Sequence, residues 1–213
     1  MSFEKEKQDL IDTARKMEKY GLIMMSGGNV SLRVREDLVL VTPSAMAYDT
    51  MSSDDIVAVD MNGRIVEGKR RPTSDLKAVL YIMNHMPEAN AVIHTHQPAA
   101  VALSLVAEEL PVISTTMVEE VKGGVNVAPF TISSDEGMGI ETVKYASGSL
   151  CVILKNHGVM AFGKDLDQAF CATLYLEESC EIYLKALATG LPVSALSQEQ
   201  IREESKIRGN YGQ

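Results

Sequence analysis

Cysteine is scarce in this 213-residue chain, and the three cysteines present form no C-x-x-C pair. Cys151, Cys171 and Cys180 lie in apolar stretches, and an odd number of cysteines in such surroundings is typical of reduced thiols in a protein core. The pattern therefore favours a cytoplasmic protein without disulfides.

Long apolar runs and an excess of positive charge are also missing. No uninterrupted apolar stretch approaches bilayer length, and the opening "MSFEKEKQDL" is charged, so we expect a soluble protein that is neither exported nor membrane-bound. The formal net charge of -9 disfavours nucleic acid as a partner, although a local anion site stays possible. Repeats and low-complexity linkers are absent too. A chain of this length with 46% hydrophobic residues predicts one domain over residues 1–213.

Helical and strand periodicities alternate along the chain. Helices are predicted at residues 4 to 20, from Thr73, from Pro98, at 136 to 146, at 164 to 188 and from about 197. Strands are predicted near residues 30 to 34 and 38 to 42, in a hairpin around Asn62-Gly63, in "AVIHT", in "PVISTT" and in "SLCVILKNHGVMAF". The fold class expected is α/β, with a central, mostly antiparallel sheet between helical layers.

Two of the four histidines stand two residues apart in "AVIHTHQP". Because alternate residues of a strand face the same side, the imidazoles of His94 and His96 would leave one face together. His157 in "KNHG" follows a β-rich run, and Gly158 supports a sharp turn there. Three imidazoles with an open fourth position are typical of catalytic zinc, although three unrelated polar residues are the plain alternative. His85 stands at a helix end before a proline, where an exposed capping role is expected.

Known folds with an H-x-H pattern are mostly excluded by the surrounding sequence. A cupin strand would carry a glutamate shortly after the histidines, whereas "QPAAVALSL" is helical and the next acid is Glu108. A TIM barrel needs a longer chain than this one. A mixed sheet remains.

Three further segments have the composition of an anion site. "SGGN" (26–29) can form a nest of main-chain amides, "TPSA" (42–45) offers hydroxyl groups, and "RPTSD" (71–75) opens a helix whose first amides lack partners. Each segment alone is more often a turn or cap. Their combination with the histidines favours a bound phosphate.

In the order GGNVS, TPS, RPTSD, VIHTH and NHG, the sequence resembles the class II aldolase and adducin family over nearly its whole length. The resemblance implies one zinc ion per subunit, held by His94, His96 and His157, with Asp75 as a further ligand or as the base. It also implies a homotetramer with fourfold symmetry and active sites at subunit interfaces. The residues that it places around a substrate phosphate are Gly28, Asn29, Ser44, Ala45, Thr73 and Ser74.

Two activities within the family fit these residues. One is an aldolase that cleaves a ketose 1-phosphate, here L-fuculose 1-phosphate, into dihydroxyacetone phosphate and L-lactaldehyde, with Tyr211 as proton donor from a neighbouring subunit. The other is a 4-epimerase of L-ribulose 5-phosphate, since Glu119 stands near the position at which the epimerase has a catalytic aspartate. Aspartate at position 75 resembles the epimerase, and Thr115 stands where the aldolase has a tyrosine, but Tyr211 and the tail length resemble the aldolase.

The aldolase is the function that we predict from the sequence. The epimerase, a dehydratase of a related thio-sugar phosphate and a non-catalytic binding module of the adducin type are the alternatives.

Overall fold

The computed structural model describes residues 3–207 of the chain. Nine strands form one sheet in this part of the chain: β1 Asn29–Arg35, β2 Leu38–Val41, β3 Val57–Asp60, β4 Ile65–Glu67, β5 Ala91–Thr95, β6 Glu109–Leu110, β7 Val125–Ala128, β8 Cys151–Leu154 and β9 Gly158–Gly163. The helices are α1 Glu4–Lys19, α2 Leu76–His85, α3 Pro98–Ser104, α4 Glu136–Tyr145, α5 Leu166–Leu187 and α6 Gln198–Ile207.

The sheet is mostly antiparallel, as the sequence predicts. Its strand order is β4-β3-β2-β1-β5-β9-β8-β7-β6, and β7 with β8 is the parallel pair among these neighbours. Strand β5 lies in the middle, between β1 and β9. The strand that carries the histidines is therefore held on both edges.

Helices cover both faces of the sheet, which confirms the expected α/β/α layers. Ala91 and Ile93 of β5 pack in a core with α1 and α5, whereas Val92 packs on the opposite face with α2 and α4. His94 continues the alternation on the Val92 face. It consequently emerges near the beginning of α2.

The segment "PVISTT" is not a strand, and this prediction is wrong. Strand β6 ends at Leu110, and a π-helical turn runs over Met117–Val121. Pro111 cannot donate a hydrogen bond to a strand ladder, and the turn buries Met117, Val118 and Val121, a helical rather than a two-residue spacing. Strand β7 was not predicted from the sequence, and α2 begins at Leu76, three residues later than predicted.

The cysteines behave as predicted, since all three are free, Cys151 and Cys180 are buried, and Cys171 is half-buried. Among residues 3–207, none of the helices combines the length and the apolar character needed to cross a bilayer.

Close packing of α4 on α2 depends on Gly139. A β-carbon at this position would lie 2.5 Å from the Ala78 carbonyl oxygen and 2.9 Å from the β-carbon of Tyr81. Gly139→Ala should therefore lower the free energy of unfolding by about 1–3 kcal/mol, measured by urea denaturation, because the helices must move apart.

Gly137 in the first turn of α4 is the matched control. A β-carbon there would have no neighbour nearer than 3.6 Å, so Gly137→Ala should be neutral or stabilising by up to ~1 kcal/mol, the helix propensity difference. Equal losses in both variants would contradict the packing argument.

Candidate metal centre

Three imidazoles converge where β5 ends and β9 begins. His94 lies in β5, His96 follows one residue after its end, and His157 lies in the turn between β8 and β9. The candidate ligand atoms of the three lie within 4.8 Å of one another, and the Nε2 atoms of His94 and His96 are 3.1 Å apart. Tetrahedral nitrogens at 2.0–2.1 Å from a zinc ion are roughly 3.3 Å apart, so the 3.1 Å spacing of His94 and His96 suits a shared metal ion.

The protonation of these histidines also suits a metal. Burial lowers the pKa of His94 to about 4, and burial also lowers the pKa of His96 and of His157. Neutral imidazoles keep the lone pair that binds a cation. The Nδ1 of His94 lies 2.9 Å from the carbonyl oxygen of Val159, which turns Nε2 toward the other two rings.

Asp75 lies directly beside this group. It is the residue before α2, and its side chain accepts hydrogen bonds from the Asn29 amide to Oδ2 (2.8 Å) and from the Ser134 hydroxyl to Oδ1 (3.3 Å). Its Oδ2 is 3.9 Å from the Nε2 of His94. The carboxylate is thus fixed at the edge of the imidazole group without a direct hydrogen bond to it.

A cavity of about 180 Å³ opens in front of the histidines and Asp75. It brings together the three segments that the sequence analysis singled out for an anion. Its lining consists of Ser26, Gly27, Gly28, Pro43, Ser44, Ala45, Thr73, Ser74, Asp75, His94, His96, Ser133, Ser134 and His157. Five of the six residues expected around a phosphate belong to this lining, and the sixth, Asn29, lies buried behind it with its amide on Asp75.

The segments are tied to one another by main-chain hydrogen bonds. The Ser44 amide donates to the Arg71 carbonyl, and the Thr73 amide donates to the Thr42 carbonyl, both at 3.0 Å. These two amides are therefore occupied by protein acceptors. The exposed hydroxyl groups of Ser44 and Ser74 are the donors that these segments offer to an anion.

Ser133 and Ser134 are site residues that the sequence analysis missed. They lie just before α4, and Ser134 adopts a left-handed φ of 63°. The local sequence carries only the signal of a helix start, because Asp135 caps α4 by accepting a hydrogen bond from the Gly137 amide. Their position at the cavity arises from tertiary packing.

Other candidate residues lie elsewhere. Glu119 belongs to the π-helical turn and lines a separate cavity with Lys164 and Cys171, so a single chain does not bring it to the histidines. Thr115 is exposed, and Tyr211 lies outside the described residues. His85 lies at the exposed end of α2 with its Nδ1 2.8 Å from the Tyr81 carbonyl oxygen, apart from the other three histidines as predicted.

A family described as class II aldolase and adducin N-terminal domain matches residues 8–184. Three curated relatives are similar over most of their length. An L-fuculose phosphate aldolase of Haemophilus influenzae is 32% identical over 92% of this chain and 89% of its own. A 5-deoxy-D-ribulose 1-phosphate aldolase of Bacillus thuringiensis is 28% identical over the whole of both chains. An L-ribulose-5-phosphate 4-epimerase, UlaF, of Salmonella paratyphi B is 34% identical over 82% of each chain.

The fold is also similar to a solved structure. An L-fuculose 1-phosphate aldolase superposes with a TM-score of 0.91 at 29% identity, covering 98% of both chains.

Removal of one imidazole should abolish tight metal binding. We expect His94→Ala and His157→Ala to lose the roughly one zinc ion per subunit that three neutral imidazoles would hold, as measured by elemental analysis after dialysis. His85→Ala is the control and should keep its metal. Full metal content in either of the first two variants would rule out this centre.

The metal-free protein should lose stability in mildly acidic solution. The folded-state pKa of His94, about 4, lies below its unfolded value of 6.5, so the unfolded chain takes up the proton first as the pH falls. The contribution of neutral His94 to the free energy of unfolding is fully present above pH 6.5 and is lost as the pH falls toward 4. Between pH 7 and pH 5 the free energy of unfolding should decrease on the order of 2 kcal/mol, measured by urea denaturation.

The carboxylates with lowered pKa values cannot account for a loss in that range. Asp55, Asp60 and Glu67 have lowered pKa values, through hydrogen bonds to Ser52, Arg64 and Lys7 respectively, so their contributions disappear only below their ordinary values near 4. His94→Gln should have a shallower dependence on pH between 7 and 5. An unchanged slope in that variant would show that another group is responsible.

Proposed function

The chain belongs to the class II aldolase and adducin family, and on that premise we propose that it is a zinc-dependent aldolase acting on a ketose 1-phosphate. The protein is an enzyme of the class II aldolase type. The observation that carries the proposal is the meeting of three neutral imidazoles and one carboxylate at a cavity lined by hydroxyl groups. A non-catalytic binding module has no need of this arrangement.

The donor set favours zinc, because neutral imidazoles with one open position are its usual catalytic ligands. When bound by His94, His96 and His157, the ion would supply Lewis-acid stabilisation of the negative charge that develops on the substrate oxygens during carbon–carbon cleavage.

Asp75 is the proposed base. Its carboxylate is held by Asn29 and Ser134 from two sides, beside the histidines and at the cavity wall. In the direction of synthesis it would take the proton from C3 of dihydroxyacetone phosphate, and in cleavage it would return that proton. Fixing the carboxylate from both oxygens limits the reorientation needed at the moment of transfer.

The cavity hydroxyl groups are proposed to bind the phosphate. Ser44 and Ser74, together with main chain at Gly28 and Ala45 and the hydroxyl of Thr73, would hold the charged end of the substrate, so that the reacting carbons face the histidines. Asn29, buried behind the wall, would act mainly through Asp75.

L-Fuculose 1-phosphate is the substrate that we propose, with dihydroxyacetone phosphate and L-lactaldehyde as products. The names of the Haemophilus relative and of the solved structure support this choice. The Bacillus relative supports a different aldehyde partner for the same cleavage.

We further propose a cytoplasmic homotetramer with active sites at subunit interfaces. In the direction of synthesis, Tyr211 of a neighbouring subunit would donate the proton to the aldehyde oxygen, and in cleavage it would take that proton back. Glu119 lines a cavity of its own, so any part that it takes in the reaction requires a second chain.

A 4-epimerase of L-ribulose 5-phosphate is the second candidate. It is favoured by the side chain at position 75, which is one methylene shorter than the glutamate of the aldolases, and by the name of the Salmonella relative. Cleavage, rotation of the aldehyde and renewed addition would use the same metal centre and base.

Three variants separate the two reactions. Asp75→Asn should keep its metal but lose deuterium exchange at C3 of dihydroxyacetone phosphate, because the amide cannot accept a proton. Tyr211→Phe should still exchange but should cleave L-fuculose 1-phosphate about 10²- to 10⁴-fold more slowly, the loss typical of a positioned acid.

Glu119→Gln completes the set and should leave aldol cleavage nearly unchanged. Exchange, cleavage and epimerisation of L-ribulose 5-phosphate are measured on all three variants and on the parent enzyme. Normal cleavage in Tyr211→Phe, together with loss of epimerisation in Glu119→Gln, would replace the aldolase with the epimerase.

A further inference from the structure

The imidazole of His96 is supported differently from that of His94. The Nδ1 of His94 has the Val159 carbonyl as a partner, whereas within residues 3–207 no hydrogen bond reaches the Nδ1 of His96. The His96 ring lies instead between two glycines. A β-carbon at Gly27 would be 3.2 Å from its Nδ1, and one at Gly158 would be 3.0 Å from its Cδ2. The direction of this ring therefore depends on the main chain that carries it.

Both neighbours of His96 are fixed by buried side-chain hydrogen bonds. The Thr95 hydroxyl donates to the Oε1 of Gln97 (2.7 Å), and the Nε2 of Gln97 donates to the Thr173 carbonyl of α5 (2.8 Å). Thr95 and Gln97 are fully buried. These bonds attach the segment 95–97 to helix α5 on the side away from the cavity.

A carboxylate one turn along α5 completes the attachment. The Oε1 of Glu177 accepts a hydrogen bond from the Ala99 amide (2.7 Å), and its Oε2 accepts one from the Ala100 amide (3.0 Å). These amides belong to the first turn of α3, where no helical partner exists and where negative charge is favourable. This pair of bonds therefore fixes the chain three and four residues beyond His96, at the start of α3.

We propose that Glu177 is a positioning residue for the metal centre, acting with Gln97 and Thr95 to hold the main chain that aims His96. The inference rests on the proposed metal site and adds the support of one of its three ligands. Glu177 touches neither the metal nor the substrate. Its effect is to keep the third nitrogen at binding distance when the site is formed, and partners of this kind influence affinity strongly.

Glu177→Gln tests the proposal with little change in shape. The amide group replaces one of the two accepting oxygens and cannot accept from a main-chain N–H, so the first turn of α3 loses one buried bond. We expect zinc affinity to fall by about 10- to 100-fold, measured by competition with a chromophoric chelator on the metal-free protein. The visible absorption of the Co²⁺-substituted protein at saturation should also change, since it reports ligand geometry.

Glu178→Gln is the matched control, because this neighbour on the same helix is exposed. It should keep the affinity and the spectrum of the parent protein. Thr95→Val is the second variant, which removes the hydroxyl from the other side of His96 and remains informative if Glu177→Gln does not fold. It should weaken zinc binding and alter the Co²⁺ spectrum in the same direction.

The outcomes separate this proposal from the metal site on which it rests. Parent-like affinity and spectrum in Glu177→Gln and Thr95→Val, while His94→Ala binds no metal, would overturn the positioning role and leave the metal site intact. Retained metal in His94→Ala would overturn both. Lower unfolding free energy with unchanged affinity and spectrum would assign Glu177 to stability alone and would also overturn the proposal.

Discussion

The close approach of two glycines to the end of β5 is the constraint on which the site depends. A β-carbon at Gly28 would lie 2.4 Å from the His94 carbonyl oxygen, and one at Gly158 would lie 2.1 Å from the Thr95 carbonyl oxygen. Gly28 also has a φ of 101°, which a larger residue rarely adopts. Because both neighbouring strands can come this close, the loop before β1 and the turn before β9 reach the histidines. Any side chain at either position would move one wall of the cavity away.

The side chains that line the cavity determine its electrostatics. The lining within the described chain contains no lysine or arginine, and Asp75 is its carboxylate. A sugar phosphate would therefore bring negative charge toward a site that has a carboxylate and otherwise only neutral imidazoles and hydroxyl groups. Repulsion between like charges is strong where water is limited, so on the proposed function a bound dication would be the group that lets the site accept its substrate. The metal would then serve substrate binding as well as the chemistry.

Much of the site could be predicted because its signals are local. His94 and His96 share a direction through the two-residue period of a strand, and Gly158 marks the turn that places His157. The contacts that hold Asp75 in place lack such signals. Ser134 reaches Asp75 across 59 positions, and Asn29 reaches it across 46, distances at which neither periodicity nor composition carries information. The segment "PVISTT" was mistaken for a strand because its β-branched residues suit one. Pro111 cannot donate a hydrogen bond to a strand ladder, and the residues that follow the segment, Met117, Val118 and Val121, are buried at a helical spacing.

The same distinction separates the family from the reaction. The imidazoles, the carboxylate and the hydroxyl-lined cavity all come from one chain, and both aldolases and an epimerase are 28% to 34% identical to it. The groups that would separate the two reactions do not line this cavity within the described residues. Glu119 lines a different cavity, Thr115 is exposed, and Tyr211 lies beyond the described residues. The enediolate that carbon–carbon cleavage would form in both reactions would thus be stabilised in the interior of the fold. On the proposed mechanism, the choice between release of the aldehyde and its renewed addition would be made by side chains that approach from a neighbouring subunit.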